Sequence, residues 1–383
     1  MNTTKLKNVC VVVSGTTPKS TDERYWNGTH VWITPAELSE DSFIVTDSER
    51  HITDEAIKAT GLKSFPKGTV LLSSRAPIGK VAIAGCEMYC NQGFKNLICS
   101  ESIYNLYLYY FLKSKTAYLN SLGRGATFKE ISKGIVEDIS IPFPVYSEQI
   151  RIAKQLQKIR ELISLKKGQY RYFDDIIRSR FIEMFGDSQS NPKGFPYKRI
   201  NEFAKCIAGA TPSTKRKEYW SNGIIPWMSS GEVNYKRIWE TEKRISQIGY
   251  DSCSTKMIPA HTVVIAMAGQ GRTRGTVAVA EIPLCTNQSL CSIITDGTVD
   301  TDYLFTYLQF QYNNLRNISN GSSGRGGLNI KLIGQFAVLV PPLAIQQKFS
   351  NFLKEIDKSK LAVRPFSCNK KDCDCSQSFL LYP

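Results

Sequence analysis

Long apolar runs are missing from this chain. No stretch approaches the roughly 18 apolar residues of a membrane span. Residues 9–13, behind the N-terminus, are too few for the core of a signal peptide. The expectation is a cytoplasmic protein. Histidine is scarce, with only His30, His51 and His261 among 383 residues, which argues against a zinc site. Cysteine is not scarce, at eleven residues, but no CxxC pair occurs and the spacing is not that of a disulfide framework. In a reducing compartment Cys10, Cys86, Cys90, Cys99, Cys206, Cys253, Cys285 and Cys291 read as small core hydrophobes. Acid is the minority charge: 49 Lys and Arg against 34 Asp and Glu leave a net charge of +15. That balance favours a polyanionic partner, of which nucleic acid is the commonest.

Catalytic signatures are missing too. There is no GxxxxGK[ST] phosphate loop, no HExxH and no GxSxG. Asn191-Pro192-Lys193-Gly194 does not make the Asn/Asp-Pro-Pro-aromatic run of an adenine methyltransferase. The stretch 269–275 is glycine-rich but lacks the strand–GxGxxG–helix setting of a dinucleotide site.

What is present is present twice. Gly15-Thr16-Thr17-Pro18 leads to Tyr25-Trp26, Trp32 and Glu37, and Gly209-Ala210-Thr211-Pro212 leads to Tyr219-Trp220, Trp227 and Glu232. The offset is 194 residues at the glycine and 195 at the second tryptophan, which marks duplicated domains and not a solenoid. Short β-branched runs at 69–72 and 81–84 answer those at 262–265 and 277–280, as strands should. An aromatic helix over 104–119 matches 303–315, Gly123-Arg124-Gly125 matches Gly324-Arg325-Gly326, and apolar-proline strand ends close the halves at 139–144 and 336–342. The recurring tryptophans Trp26, Trp32, Trp220 and Trp227 read as core packing, and Trp239 does not recur.

A rod should follow each half. Ser147 and Glu148 suit a helix start. Apolar residues then recur at 152, 156, 159, 163, 170, 173 and 177, the alternation of four and three that marks a coiled coil, broken once by Lys166. Gly186 suits a left-handed cap. The 34 residues from Ile152 to Phe185 would span about 50 Å. Phe349, Phe352, Ile356 and Val363 begin a second rod, which Pro365 stops. Cys368, Cys373 and Cys375 crowd into a tail unlike the rest. The expected divisions are a first domain at 1–146, a long helical spacer at 147–187, a second domain at 188–342, a truncated second helix at 343–363 and an aberrant tail at 364–383. Asp174-Asp175 sits on the rod and reads as a solvated face.

The basic residues are the candidates for DNA contact. Arg75, Lys80, Arg272 and Arg274 fall in equivalent turn-rich loops. Arg124 and Arg325 correspond, each flanked by glycines that let a loop approach a groove closely. Lys215-Arg216-Lys217 is a further basic run, with Lys19 in the matching place of the first copy. Lys129 and Lys331 complete the set. Arginine at such loops gives bidentate contacts to guanine or anchors on phosphate.

In its duplicated order the chain resembles the specificity subunit of type I restriction–modification enzymes, over about residues 1–363. The residues carrying this are Gly15-x-x-Pro18 and Gly209-x-x-Pro212, Trp32-Ile33-Thr34 and Trp227-Met228-Ser229, Pro144-x-x-x-x-Gln149 and Pro342-x-x-x-x-Gln347, and the stretch Phe181-Ile182-Glu183-Met184-Phe185-Gly186-Asp187. The resemblance implies an α+β chain of two repeated mixed α/β target recognition domains separated by long coiled-coil helices. Each domain would read half of a split DNA sequence. The rods would pack antiparallel and bind two methylation (M) subunits through Ile152, Leu156, Ile159, Ile163, Phe173, Ile177, Phe349, Phe352 and Ile356, and restriction (R) subunits would join for cleavage. S-adenosylmethionine, ATP and Mg are implied for those partners, with no cofactor, metal or catalytic residue in this chain. Rod length would fix the unread gap between half-sites.

Two other functions stay open at this stage. One is a scaffold or regulator that binds methylation subunits without reading DNA; the other is an inactive, truncated specificity subunit. A free-standing methyltransferase or nuclease lacks its signatures. The second rod has only some 20 residues before Pro365, whereas it should run about as long as the first. Incomplete antiparallel pairing should therefore weaken assembly, and copurification of a stable, stoichiometric complex with the methylation subunits would count against this.

Overall fold

The computed structural model describes residues 2–75, 77–125, 129–188, 190–269, 271, 273–318 and 327–363. It divides into two compact units, and the division falls between Leu165 and Lys166. The tail at 364–383, Arg272 and Arg325 lie outside the described residues. Among those described, no helix is long and apolar enough to cross a membrane.

In the first unit a five-stranded sheet runs in the order Cys10–Val13, Asn96–Cys99, Val70–Leu72, Val81–Ala84, Ile44–Val45. Its pairs are antiparallel except at the Ile44–Val45 edge, which is parallel to Val81–Ala84. Val70–Leu72 and Val81–Ala84 are apolar at every position because both faces are covered. Val70, Leu72, Val81 and Ile83 pack toward the helix Asn105–Ser114, whereas Leu71, Ala82 and Ala84 pack on the opposite side. This is the period-two alternation of a strand with two buried faces. A three-stranded sheet, ordered His51–Ile52, Trp26–Ile33, Tyr89–Cys90, carries the tryptophans.

The second unit repeats this plan. Its five-stranded sheet is ordered Ala204–Ala208, Leu290–Thr295, Thr262–Ala266, Val277–Ala280, Arg237–Ile238, and its three-stranded sheet Lys243–Ile245, Ile225–Met228, Cys285–Thr286. Val263, Ile265, Val277 and Val279 face one core, and Val264, Ala266, Ala278 and Ala280 the other. Each aromatic helix is a pair: Asn105–Ser114 with Thr116–Leu122, and Thr301–Phe310 with Tyr312–Ile318. The counterpart of Tyr303 is Tyr107, not Tyr104. Their buried hydroxyls donate to the carbonyls of Leu339 and Pro142 at 2.7 and 2.9 Å. The described cysteines are free thiols, with Cys10, Cys90, Cys285 and Cys291 buried.

Each unit opens and closes on a short antiparallel ladder. Thr3–Lys5 pairs with Ser140–Pro142, and Tyr197–Arg199 with Ala337–Leu339. The closing strand then leads into a helix, Tyr146–Phe185 in one case and Leu343–Val363 in the other. A fully buried glutamine fastens each of these helices at its first turns. Gln149 accepts from the Tyr104 amide at 2.9 Å and donates to the carbonyls of Ser102 and Pro144 at 3.1 and 3.0 Å. Gln346 accepts from the Asp300 amide at 2.8 Å and donates to the Pro341 carbonyl at 2.7 Å. The sequence pairing of Pro342 with Gln347 is therefore one residue out: the second copy of the motif is Pro341-x-x-x-x-Gln346, and Gln347 is exposed.

The long helix begins at Tyr146, with Glu148 in its first turn bonded to Arg151 at 2.6 and 2.7 Å. It ends at Phe185 before Gly186, whose φ of +78° is the expected left-handed cap. Ile152 packs against the first domain's core and Leu156 is half-buried. Ile159 and Ile163 are 51% and 48% exposed, as are the neighbouring Leu162 and Leu165 at 59% and 67%.

In the second unit the helices run antiparallel. Tyr170 donates to the Lys360 carbonyl at 3.1 Å, and the Lys360 ammonium meets Asp174 at 2.7 Å. Further along, Phe181 and Phe185 lie against Phe349 with ring centroids 5.4 and 5.5 Å apart. Phe349 is wholly buried, and Ile177 and Phe352 pack on the same core. As a seat for another subunit Phe349 is already occupied within the chain, because the second domain sits on the end of the helix pair. Phe173 and Ile356 remain half-buried.

Replacing Gln346 by alanine leaves a buried amide and a buried carbonyl without partners, which costs about 2 kcal/mol. The Gln347→Ala substitution, at an exposed position, should stay within about 0.5 kcal/mol of the parent. Denaturant unfolding followed by tryptophan fluorescence separates the two.

Candidate nucleic-acid interface

The Gly-x-x-Pro segments are loop tips between the five-stranded and the three-stranded sheet of each unit, pressed on a neighbouring strand. A Cβ on Gly15 would stand 1.6 Å from the Cys90 carbonyl oxygen, and one on Gly209 1.8 Å from that of Thr286. Only glycine permits that approach. The tryptophans hold the tips by their carbonyls. Trp32 donates to Thr16 at 3.1 Å and Trp26 to Lys19 at 3.2 Å; Trp227 donates to Ala210 at 3.0 Å and Trp220 to Ser213 at 3.2 Å. Each pair of rings meets edge to face, at 5.2 and 5.0 Å. Trp26, Trp32 and Trp227 are buried, Trp220 is half-buried, and Trp239 is 65% exposed. Glu37 and Glu232 complete capping boxes with Thr34 and Ser229, and each also accepts from a distant amide, of Glu49 at 2.8 Å and of Glu242 at 3.0 Å.

Around these tips the basic residues point outward. Lys19, Lys215, Arg216 and Lys217 are exposed, with Arg216 3.7 Å from Glu218. Two cations escaped the sequence reading. Arg50 lies 3.3 Å over the Trp26 ring, and Lys243 lies 5.6 Å over Trp220. They occupy equivalent places beside the duplicated tryptophan pairs. The signal was a basic residue 24 or 23 positions after the first tryptophan of each pair. In the second domain Thr214, Trp220, Glu242, Lys243 and Arg244 line an open cavity of about 420 Å³.

The two turn-rich loops share their ends but not their length. Gly79 (φ +88°) bonds back to Ser73 at 3.0 Å, and Gly275 (φ +84°) to Ala266 at 2.9 Å. Counting 79 − 73 against 275 − 266, the second loop is three residues longer. Arg75 is 45% exposed, and its Nε donates to Glu130 at 2.9 Å. Lys80 is half-buried, and its ammonium donates to the Pro35 carbonyl at 3.1 Å, so it braces the loop. Arg274 is half-buried, and Lys331 is exposed on the helix Ile330–Gly334. Arg124 and Lys129 are exposed, and the Arg124 backbone exchanges two hydrogen bonds with Glu130 at 3.0 and 2.9 Å. The structure thus gathers Arg75, Arg124 and Lys129 around Glu130.

Lys95, with a side chain only 10% exposed, completes the cluster at 3.2 Å from the other Glu130 oxygen. Burial by itself would raise the Glu130 carboxyl. The hydrogen bonds from Lys95 and Arg75, with their charges, outweigh it and hold the group below the usual carboxylate range.

A family model of the type I restriction modification DNA specificity domain matches residues 1–171 and again 192–363. The chain belongs to this family. A type I specificity subunit from Methanocaldococcus jannaschii, that of MjaIX, is 29% identical over 92% of this chain and 85% of its own. The EcoR124I/EcoR124II specificity subunit of Escherichia coli is 24% identical over 59% of this chain and 57% of its own. Among solved structures, the type I restriction-modification S subunit from M. genitalium superposes with a TM-score of 0.59 at 15% identity, over 98% of this chain and 93% of that one. That likeness is one of fold. Both matched segments hold a Gly-x-x-Pro loop, a tryptophan pair and a turn-rich loop, so the specificity domain occurs here twice.

A carboxyl held low contributes stability that is present above its ordinary value, near 4.3, and lost as pH falls through the lowered value. Amide-exchange protection at Arg124, Glu130 and Ile131, corrected for intrinsic rates, should hold from pH 7 to about pH 5 and fall at lower pH. The Glu130→Gln variant should lack that step.

Proposed function

We propose that the first domain reads one half of a split, asymmetric DNA sequence and the second reads the other. The observation that carries this is the pair of basic loops set on identical frames but differing by three residues in length. Equal frames give each domain the same approach to a duplex; unequal loops give different half-sites. The charge of +15 supplies the sequence-independent attraction. Base edges are then read by side chains such as Arg75, Arg124, Arg272, Arg274 and Arg325, while lysines and the runs at 19 and 215–217 position the backbone.

Helices of this family's kind serve as the seat for methylation subunits, and restriction subunits join for cleavage. A helix of 40 residues is about 60 Å long, more than one turn of DNA at roughly 34–36 Å. The exposed seam at Ile159, Leu162, Ile163 and Leu165 is the part we assign to the methylation subunits. This chain does no chemistry in our reading. S-adenosylmethionine, ATP and Mg belong to the partners, and the specificity subunit supplies address and scaffold.

Mapping methylated adenines in cells that co-express this chain with its cognate methylation subunit tests the proposal. The expected result is a split motif with unlike halves. Substituting Arg272 and Arg274 by alanine should erase one half and leave the other intact. Binding of the complex to a duplex carrying the motif should weaken steeply with salt. A complex that forms but methylates nothing, with no salt-dependent DNA binding, would mean a scaffold that does not read DNA.

A further inference from the structure

We propose that Glu130 is a positioning residue for base reading by the first domain. It grips Arg75 through Nε and so presents the Nη edge of the guanidinium to a guanine of one base pair. This rests on the half-site reading above.

Glu130 joins the two candidate loops. Its backbone pairs with that of Arg124 and forms a bridge with Arg75, and the next amide, of Ile131, donates to Ser74 at 2.9 Å. Its carboxylate divides its two oxygens. Oε2 takes Arg75 Nε at 2.9 Å and Oε1 takes Lys95 Nζ at 3.2 Å. Lys95 is fixed from below, where Ser74 Oγ lies 3.4 Å away. Among the described residues Arg75 has no other hydrogen-bond partner, so both Nη groups are left for a ligand.

An arginine free to swing finds phosphate and carries no sequence information. One held at Nε keeps its fork in a single plane, as bidentate contact with guanine O6 and N7 requires. Lys95 makes this arrangement compatible with DNA. Without it, Arg75 and Glu130 would cancel; with it, the trio keeps a net charge of +1, two cations against one carboxylate.

The second domain lacks the device. Leu328 donates to Met267 as Ile131 donates to Ser74, which sets Gly327 opposite Glu130 and Ala268 opposite Arg75. The strand register Val263 to Ile293, like Val70 to Leu97, sets Cys291 opposite Lys95. All three charges are absent there, so disabling the trio should disturb only one half-site.

The experiment is the methylation map of the co-expressed complex, read for the first domain's half-site in Arg75→Ala, Glu130→Ala, Glu130→Gln and the Arg75→Ala/Glu130→Ala double variant. Arg75→Ala and Glu130→Ala should relax the motif at the same base pair, with discrimination there falling about tenfold. The double variant should be no more relaxed than Arg75→Ala alone. Glu130→Gln keeps the shape and an acceptor oxygen, so it should relax that position partially even if the alanine variant folds poorly. The second domain's half-site should be unchanged throughout. If the Glu130 variants lower methylation at all sites equally while the motif stays sharp, Glu130 is merely structural and the proposal is overturned. If Arg75→Ala leaves the motif sharp, Arg75 reads nothing and the proposal falls while the half-site reading stands. If the parent chain yields no split motif, the half-site reading fails and takes this proposal with it.

Discussion

Everything in each half hangs from one buried amide. Gln149 and Gln346 are placed where a β-ladder ends and a helix begins, and each side chain uses both its acceptor and its donor. The acceptor holds the start of the aromatic helix beneath the sheet, and the donor holds the proline carbonyl at the turn. An apolar residue of that volume would fill the space but leave three backbone groups unmet at Gln149 and two at Gln346. This group and the apolar packing beside it, of Ile152 in one half and Phe349 in the other, orient the sheet to the helix.

What the two copies share is largely uncharged and directed at the backbone. Gly15 and Gly209 admit a strand carbonyl, the indole N–H groups hold loop carbonyls, and Glu37 and Glu232 cap a turn. What they do not share is where their ion-pair clusters lie. The first copy has Arg75, Lys95 and Glu130 in one cluster. The second concentrates charge at Arg237, which lies against Asp302 at 2.7 Å and Asp357 at 3.7 Å, and also against Glu281. Burial opposes the charge on Arg237, but its acidic neighbours outweigh that and raise it above its ordinary value. Shared geometry with unlike charge clusters is what two readers of different sequences require.

The duplication, the strands, the long helix and its glycine cap were legible in the sequence because glycine, proline and tryptophan act on their own backbone neighbourhood. The parts that escaped depend on contacts distant in the chain. Gln346 and Gln347 are adjacent and identical in kind, and only the position of the Asp300 amide distinguishes them. Arg50 over Trp26 follows from strand pairing, and the recurring interval from tryptophan to basic residue is its one trace in the sequence. Lys80 read as a contact to DNA, yet it reaches a carbonyl 45 residues away. Phe349 kept coiled-coil spacing, but a domain packed on the helix pair and took it into a core.

The paired entry and exit strands also decide how the second unit carries load. The route from the long helix to the closing helix passes through Tyr197–Arg199 and Ala337–Leu339, joined by three registered pairs, and bypasses the five-stranded sheet. Tyr197 lies opposite Leu339, so the two connections leave the ladder at the same end and tension between them would peel its rungs singly. The aromatic seam of Phe181, Phe185 and Phe349 joins the two helices, and Leu339 and Val340 at the exit of the ladder pack in the same core. Tension between the two helices would therefore meet that aromatic core as well as the ladder.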